Sequence, residues 1–166
     1  MCILCAYGYC GLRHCEAAAS VTVVCYVNFL SVCCFYRNAL DLDPKNAKIH
    51  CNLGFLYWGK GDTDEAIREY EYAIEFDKTY AIAYNNLGVI YLDDLGKVKQ
   101  ATDMFKKAVE YNPNYALAHF NLARSIAITG DKIEAAKLYQ IAQDVNKITN
   151  EIDPQDITDK INALFD

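Results

Sequence analysis

The stretch AKIHCNLGFLYWGKGDTDEAIREYEYAIEFDKTY, residues 47–80, decides the reading of the chain, because the sequence then repeats its plan. Asn52-Leu53-Gly54 returns as Asn86-Leu87-Gly88 and again as Asn121-Leu122-Ala123, at spacings of 34 and 35 residues. A fixed period of this length marks an array in which each unit buries its apolar face against its neighbours. Within the first unit, Ile49, Leu53, Leu56 and Tyr57 recur at helical spacing, as do Ala66, Ile67, Tyr70, Ala73 and Ile74. The two runs are separated by Gly59-Lys60-Gly61-Asp62. Glycine accepts the left-handed conformation that ends a helix, and Asp62, with Glu65 three residues on, offers a cap for the next one. The unit is therefore a helix-turn-helix hairpin of about 34 residues. Gly130-Asp131 and Glu134 repeat the same turn grammar.

Small residues recur at three fixed places, Gly54/Gly88/Ala123, Ala66/Ala101/Ala135 and Ala73/Ala108/Ala142. Closely crossing helices need such positions, because one backbone has to approach another. Large residues at Tyr57/Tyr91/Ile126 and Tyr70/Phe105/Tyr139 fill the spaces between. Together these residues resemble the tetratricopeptide repeat, whose pattern is Leu-Gly-x-x-Tyr, then Ala-x-x-x-Phe-x-x-Ala, then Pro. The resemblance covers repeats 47–80, 81–115 and 116–147, preceded by a partial one at 37–46 that ends in Asp43-Pro44. Three departures stand out. The usual Trp of the fourth position is His50, Tyr84 or His119. Pro44 and Pro113 are kept where Lys78 and Lys147 replace the usual proline. One extra residue lengthens Leu92-Asp93-Asp94-Leu95-Gly96, which bears on local turn geometry.

The resemblance implies an all-α, right-handed superhelical solenoid of antiparallel hairpins. It also implies a concave groove lined by the first helix of each unit. Carried onto this sequence, the groove positions are Lys48, Cys51, Asn52, Phe55 and Trp58, then Ile82, Asn85, Asn86, Val89, Leu92 and Asp93, then Leu117, Phe120, Asn121, Arg124 and Ile128. Asn52, Asn86 and Asn121 would form a ladder. A carboxamide offers both a donor and an acceptor, so it can pair with the backbone of an extended peptide. This is similar to the asparagine ladder of the O-linked N-acetylglucosamine transferase repeats. An intrarepeat hydrogen bond is the structural alternative for these asparagines. The family's carboxylate clamp for chaperone C-termini needs Lys and Asn four apart in one unit, where this chain offers Cys51 and Phe55. Phe55, Trp58 and Phe120 add apolar anchors.

With 23% charged and 53% hydrophobic residues over 166 positions, the chain is globular rather than disordered. Its net charge of −6 and its lack of a clustered basic face argue against nucleic acid as a partner. Lys97, Lys99, Lys106 and Lys107 sit among Asp93, Asp94, Asp103 and Glu110 and read as a solvated face. No phosphate loop, nucleophile elbow or His-Glu-x-x-His motif is present. His50 and Cys51 are adjacent on a helix and point about 100° apart, so they do not form a catalytic pair. His50 and His119 occupy a position where an aromatic ring packs. The sequence therefore names no catalytic residue, no metal ligand of the array and no cofactor. The expected function is a non-catalytic scaffold for a protein or peptide partner.

Residues 1–36 differ in character. Seven of the eight cysteines lie there, and Arg13 and Glu16 are its only formally charged side chains. Ala17 to Tyr36 is a run of 20 uncharged residues, about the length that crosses a bilayer, though Ser20, Thr22, Asn28 and Ser31 interrupt it. The same run also reads as a decayed repeat, with Tyr36 and Ala39 at the places of Tyr70 and Ala73. A third reading takes Cys2-x-x-Cys5, Cys10, His14 and Cys15 as soft metal ligands, and a fourth takes the segment as structurally unconstrained. The expected location is the cytoplasm, with a membrane-anchored form as the alternative. At the other end, in residues 148–166, Asp153-Pro154 precedes Ile157, Ile161, Leu164 and Phe165. Their stripe suits a capping helix that covers the last interface of the array.

Overall fold

The structure, a computed structural model, describes residues 19–165, with side chains from Ser31 onward. The described chain is α-helical without strands. Its helices are α1 (Ala19–Leu42), α2 (Ala47–Lys60), α3 (Thr63–Phe76), α4 (Ala81–Val89), α5 (Val98–Tyr111), α6 (Ala116–Thr129), α7 (Lys132–Thr149) and α8 (Pro154–Asn162). This is the all-α array of helical hairpins that the period predicts. It forms two compact units, one ending at Phe76 and the other beginning at Asp77.

In the first unit α2 packs against α1 and α3. Asn46 caps α2 by accepting from the Ile49 amide at 3.2 Å, and Gly61, at φ 93°, closes it in the left-handed conformation. Ala66, Tyr70 and Ala73 bury the inner face of α3. A Cβ on Gly54 would lie 2.9 Å from the Tyr70 ring, so glycine there lets the two helices close. Tyr36 and Ala39 lie on α1, which precedes α2 as α3 precedes α4. They are only partly buried, whereas Tyr70 and Ala73 are fully enclosed.

In the second unit α4 packs on α5, α5 on α6, α6 on α7 and α7 on α8. Phe105, Tyr139, Ala101, Ala108, Ala135 and Ala142 are buried at the places the repeat assigns them. The Asp131 carboxylate caps α7 by accepting from the Glu134 amide at 3.0 Å. The extra residue of the second turn is absorbed inside the helix rather than in the loop. Ile90–Asp94 adopts π-helical geometry, with the Leu95 amide donating to the Ile90 carbonyl at 3.2 Å, before Gly96 (φ 63°) turns the chain.

The closing helix buries Ile157 and the following Leu164 in a cluster with Ala123, Ala135 and Tyr139. Phe165 departs from the expected stripe. Helix α8 ends at Asn162, so the chain has left helical spacing by Phe165, which is 64% exposed.

Burial pushes the Tyr139 phenol above its ordinary range, an effect that Arg124 opposes. The folded chain therefore keeps that proton at a pH where the unfolded chain has lost it, and stability falls with rising pH. The contribution is complete below about pH 10 and is lost as pH rises through the raised value. We expect Tyr139→Phe to flatten the alkaline limb of a urea-midpoint-versus-pH profile. An unchanged limb would show that other groups govern it.

Candidate functional site

The first helices carry the expected groove residues, and the structure sorts them into open and enclosed groups. In the first unit, Lys48, Asn52 and Phe55 of α2 are exposed and Trp58 is half-buried. The Phe55 and Trp58 rings lie 6.3 Å apart at 56°, one helical turn from each other. The Asn52 amide donates to the Tyr36 hydroxyl of α1 at 3.3 Å, a long and partly exposed bond that a ligand can displace. Cys51, adjacent to Asn52, points inward and is buried. Arg37 donates to the Tyr57 hydroxyl at 2.6 Å and ties α1 to α2.

In the second unit the asparagines join in a row instead of standing separately. Arg124 Nη1 donates to Asn121 Oδ1 at 3.2 Å, Asn121 Nδ2 to Asn85 Oδ1 at 3.0 Å, and Asn85 Nδ2 to Asn86 Oδ1 at 3.3 Å. The Asn121–Asn85 bond crosses from α6 to α4, and the bonds on either side of it lie within α6 and within α4. The far side of the guanidinium is also engaged, with Nη2 donating to Asp93 Oδ1 at 2.9 Å. Asn85 and Asn121 are 1% and 3% exposed and build the floor of this face. Open access to the Asn121 carboxamide, as a ladder rung requires, is therefore not what this arrangement offers, because its Nδ2 donates across the repeat to Asn85 and its Oδ1 accepts from Arg124 one turn along α6. Asn86 and Arg124 remain partly accessible, and Ile82 and Ile128 expose 41% and 60% of their surface beside them.

Phe120 and Leu92 also differ from open groove anchors. Phe120 stands edge-on to the Tyr139 ring at 5.4 Å and belongs to the rim of the core, while Leu92 is buried with Phe105. The cause is the same in both cases. A hairpin array leaves only a narrow stripe of each first helix uncovered, and residues one position off that stripe turn into an interface.

The fourth-position residues share one polar contact. His50 Nε2 meets the Pro44 carbonyl at 3.0 Å, the Tyr84 hydroxyl donates to the Lys78 carbonyl at 3.2 Å, and His119 Nε2 meets the Pro113 carbonyl at 2.9 Å. Each ring thus ties its helix to the turn six residues upstream. His50 also bonds Glu69 through Nδ1 at 2.7 Å and lies against Tyr72 and Phe76. These are buried structural roles.

Asn146 is a residue the sequence reading did not single out. Its carboxamide accepts from the Glu151 and Ile152 amides at 2.8 and 2.9 Å and donates to the Ile152 carbonyl at 2.6 Å. It fixes the turn that delivers α8, and no local motif announces it.

Among the described residues, no group of side chains is arranged to hold a metal ion, and no helix is long and apolar enough to cross a membrane. Cys2, Cys5, Cys10, His14 and Cys15 lie outside the described residues. So do the side chains of the first part of the Ala17–Tyr36 run.

Comparison with known proteins agrees with this architecture. Models described as TPR repeat match residues 36–61 and 59–94, and one described as tetratricopeptide repeat matches residues 87–157. The chain is 34% identical over 70 residues (42% of its length) to the uncharacterized protein ycf37 of Pyropia yezoensis, and spans 39% of that relative. It is 32% identical over 108 residues (64% of its length) to the mitochondrial import receptor subunit TOM70 of Rattus norvegicus, and spans 15% of that protein. The fold is similar to the TPR2B domain of yeast Sti1 in a pHsp70 complex, at a TM-score of 0.67 and 20% identity over 72% of this chain and 95% of that one. It is also similar to the first TPR of Spaghetti (RPAP3) bound to the HSP90 peptide SRMEEVD, at 0.63 and 22% over 72% and 90%. With its hairpins in register and repeat models matched from residue 36 to residue 157, this chain belongs to the tetratricopeptide repeat family.

Proposed function

We propose that the chain is a non-catalytic scaffold whose first helices hold an extended peptide segment of a partner protein. The observation that carries this reading is the row from Arg124 through Asn121 and Asn85 to Asn86, whose buried middle holds the half-exposed Arg124 and Asn86 in place beside exposed Ile82 and Ile128. A preorganised polar row flanked by apolar surface suits a peptide backbone with apolar side chains, because it orders few groups on binding. In the first unit, exposed Asn52 and Phe55 offer the same pairing of an amide with an apolar ring. The similar Sti1 and RPAP3 domains are seen in complexes with pHsp70 and an HSP90 peptide, and this supports a peptide as the ligand class.

The test is a peptide array probed with the wild-type chain and with Asn52→Ala/Asn86→Ala. Hydrogen bonds of this kind contribute about 0.5–1.5 kcal/mol each, so the double variant is expected to bind more weakly by about fivefold to 150-fold. Undiminished binding to the same peptides would remove the asparagines from the site.

A further inference from the structure

We propose that Asp93 is a selectivity element, a carboxylate that the chain itself places on Arg124, so that this face does not accept acidic peptides. The inference rests on the peptide-groove reading above and names the class of ligand that the groove excludes. Arg124 is the cation of the row on the exposed face of α4 and α6. Its guanidinium is a planar fork suited to bidentate recognition of a carboxylate. Both terminal nitrogens are already engaged, Nη1 by Asn121 and Nη2 by Asp93.

The position of Asp93 follows from the irregular end of α4. The repeat carries one residue more between Asn86 and Gly96 than between Asn52 and Gly61 or Asn121 and Gly130. The helix takes up that residue as the π-turn Ile90–Asp94, and Asp93 lies within it. Places equivalent to Asp93 hold Gly59 and Ile128 in the other two repeats, so the carboxylate is particular to this unit.

The Arg124 and Asp93 side chains are 30% and 38% exposed, so the pair meets solvent and also meets any ligand lying along the row. An incoming carboxylate must displace Asp93 and then lie beside it, and two like charges sharing one cation repel. A peptide without acidic side chains meets a neutralised face and gives up nothing. The Arg124–Asn121 bond survives either way, so the row keeps its shape when Asp93 is changed.

The test uses fluorescence anisotropy at low salt with the full chain and two probes, labelled SRMEEVD and its neutral analogue SRMQQVN with an amidated end. Wild type is expected to bind the acidic probe no more tightly than the neutral one. Asp93→Asn keeps the size of the side chain and an acceptor oxygen toward Nη2, and removes the negative charge that neutralises the guanidinium and repels an incoming carboxylate. Its affinity for the acidic probe is expected to rise about tenfold, with little change for the neutral one. Asp93→Asn/Arg124→Gln is expected to lose that gain. Circular-dichroism melts establish that each variant is folded. The proposal is overturned if Asp93→Asn binds the acidic probe no better than wild type, or if the gain persists without Arg124. Those outcomes leave the groove reading intact, since array binding by the wild-type chain is judged separately.

Discussion

Phe105→Ala is expected to lower the unfolding free energy by about 3–5 kcal/mol, a large share of the total for a chain of this size. Phe105 is fully buried, and its ring occupies the space that Gly88 leaves open, close enough that a Cβ on Gly88 would come within 2.6 Å of it. The same ring joins Leu92, Ala101 and Leu122 in one cluster, so it touches α4, its π-turn and α6 as well as its own helix. Truncation removes the ring on which these elements converge, and the surrounding helices relax only in part to close the cavity it leaves. Phe105→Leu retains most of the volume and is expected to cost less than half as much. Urea unfolding followed by circular dichroism reads both, the midpoint falling while the slope stays constant. Equal losses for Ala and Leu would show that the aromatic shape, rather than the filled volume, is what matters there.

Asn146→Ala carries the second large effect, about 2–4 kcal/mol, since one buried carboxamide satisfies two backbone amides and one carbonyl. All three partners belong to Glu151 and Ile152, the turn that brings α8 back onto α7. Without it the turn loses its template, and Ile157, which α8 buries against Ala123, Ala135 and Tyr139, loses its guide. Asn146→Asp keeps both acceptor bonds but sets a carboxylate against the Ile152 carbonyl, so its loss falls between wild type and alanine. Limited proteolysis adds a local readout, with cleavage expected near residues 150–153 in the alanine variant. If Asn146→Ala melts with wild type and resists cleavage, the closing helix is held by apolar contact alone.

The comparison of sequence with structure separates two kinds of information. The hairpins, their glycine turns and their three small-residue positions were legible because a steric demand recurs in every repeat. Gly54 under Tyr70 and Gly88 under Phe105 show that demand directly. The extra residue after Leu92 was legible as an insertion, but whether a chain absorbs it in the loop or by widening the helix depends on how its neighbours pack. The asparagines illustrate the limit most clearly. Register places Asn52, Asn86 and Asn121 at one position, yet Asn52 is open and Asn121 is enclosed. The difference lies mainly with Asn85, a partner that helix crossing rather than spacing brings to Asn121. The Asn146 turn was invisible for the same reason, since its bonds reach five and six residues ahead into irregular backbone.

The central claim is that ligands lie on the first helices and not on the second. Site-specific photo-crosslinking tests it directly, with a benzoylphenylalanine probe placed at Ile128 of α6 or at Ile133 of α7, both well exposed. A peptide selected from the array is then irradiated with each labelled chain. The account predicts a covalent adduct from position 128 that excess unlabelled peptide suppresses, and none from position 133. Crosslinking from position 133 with none from position 128 would contradict it.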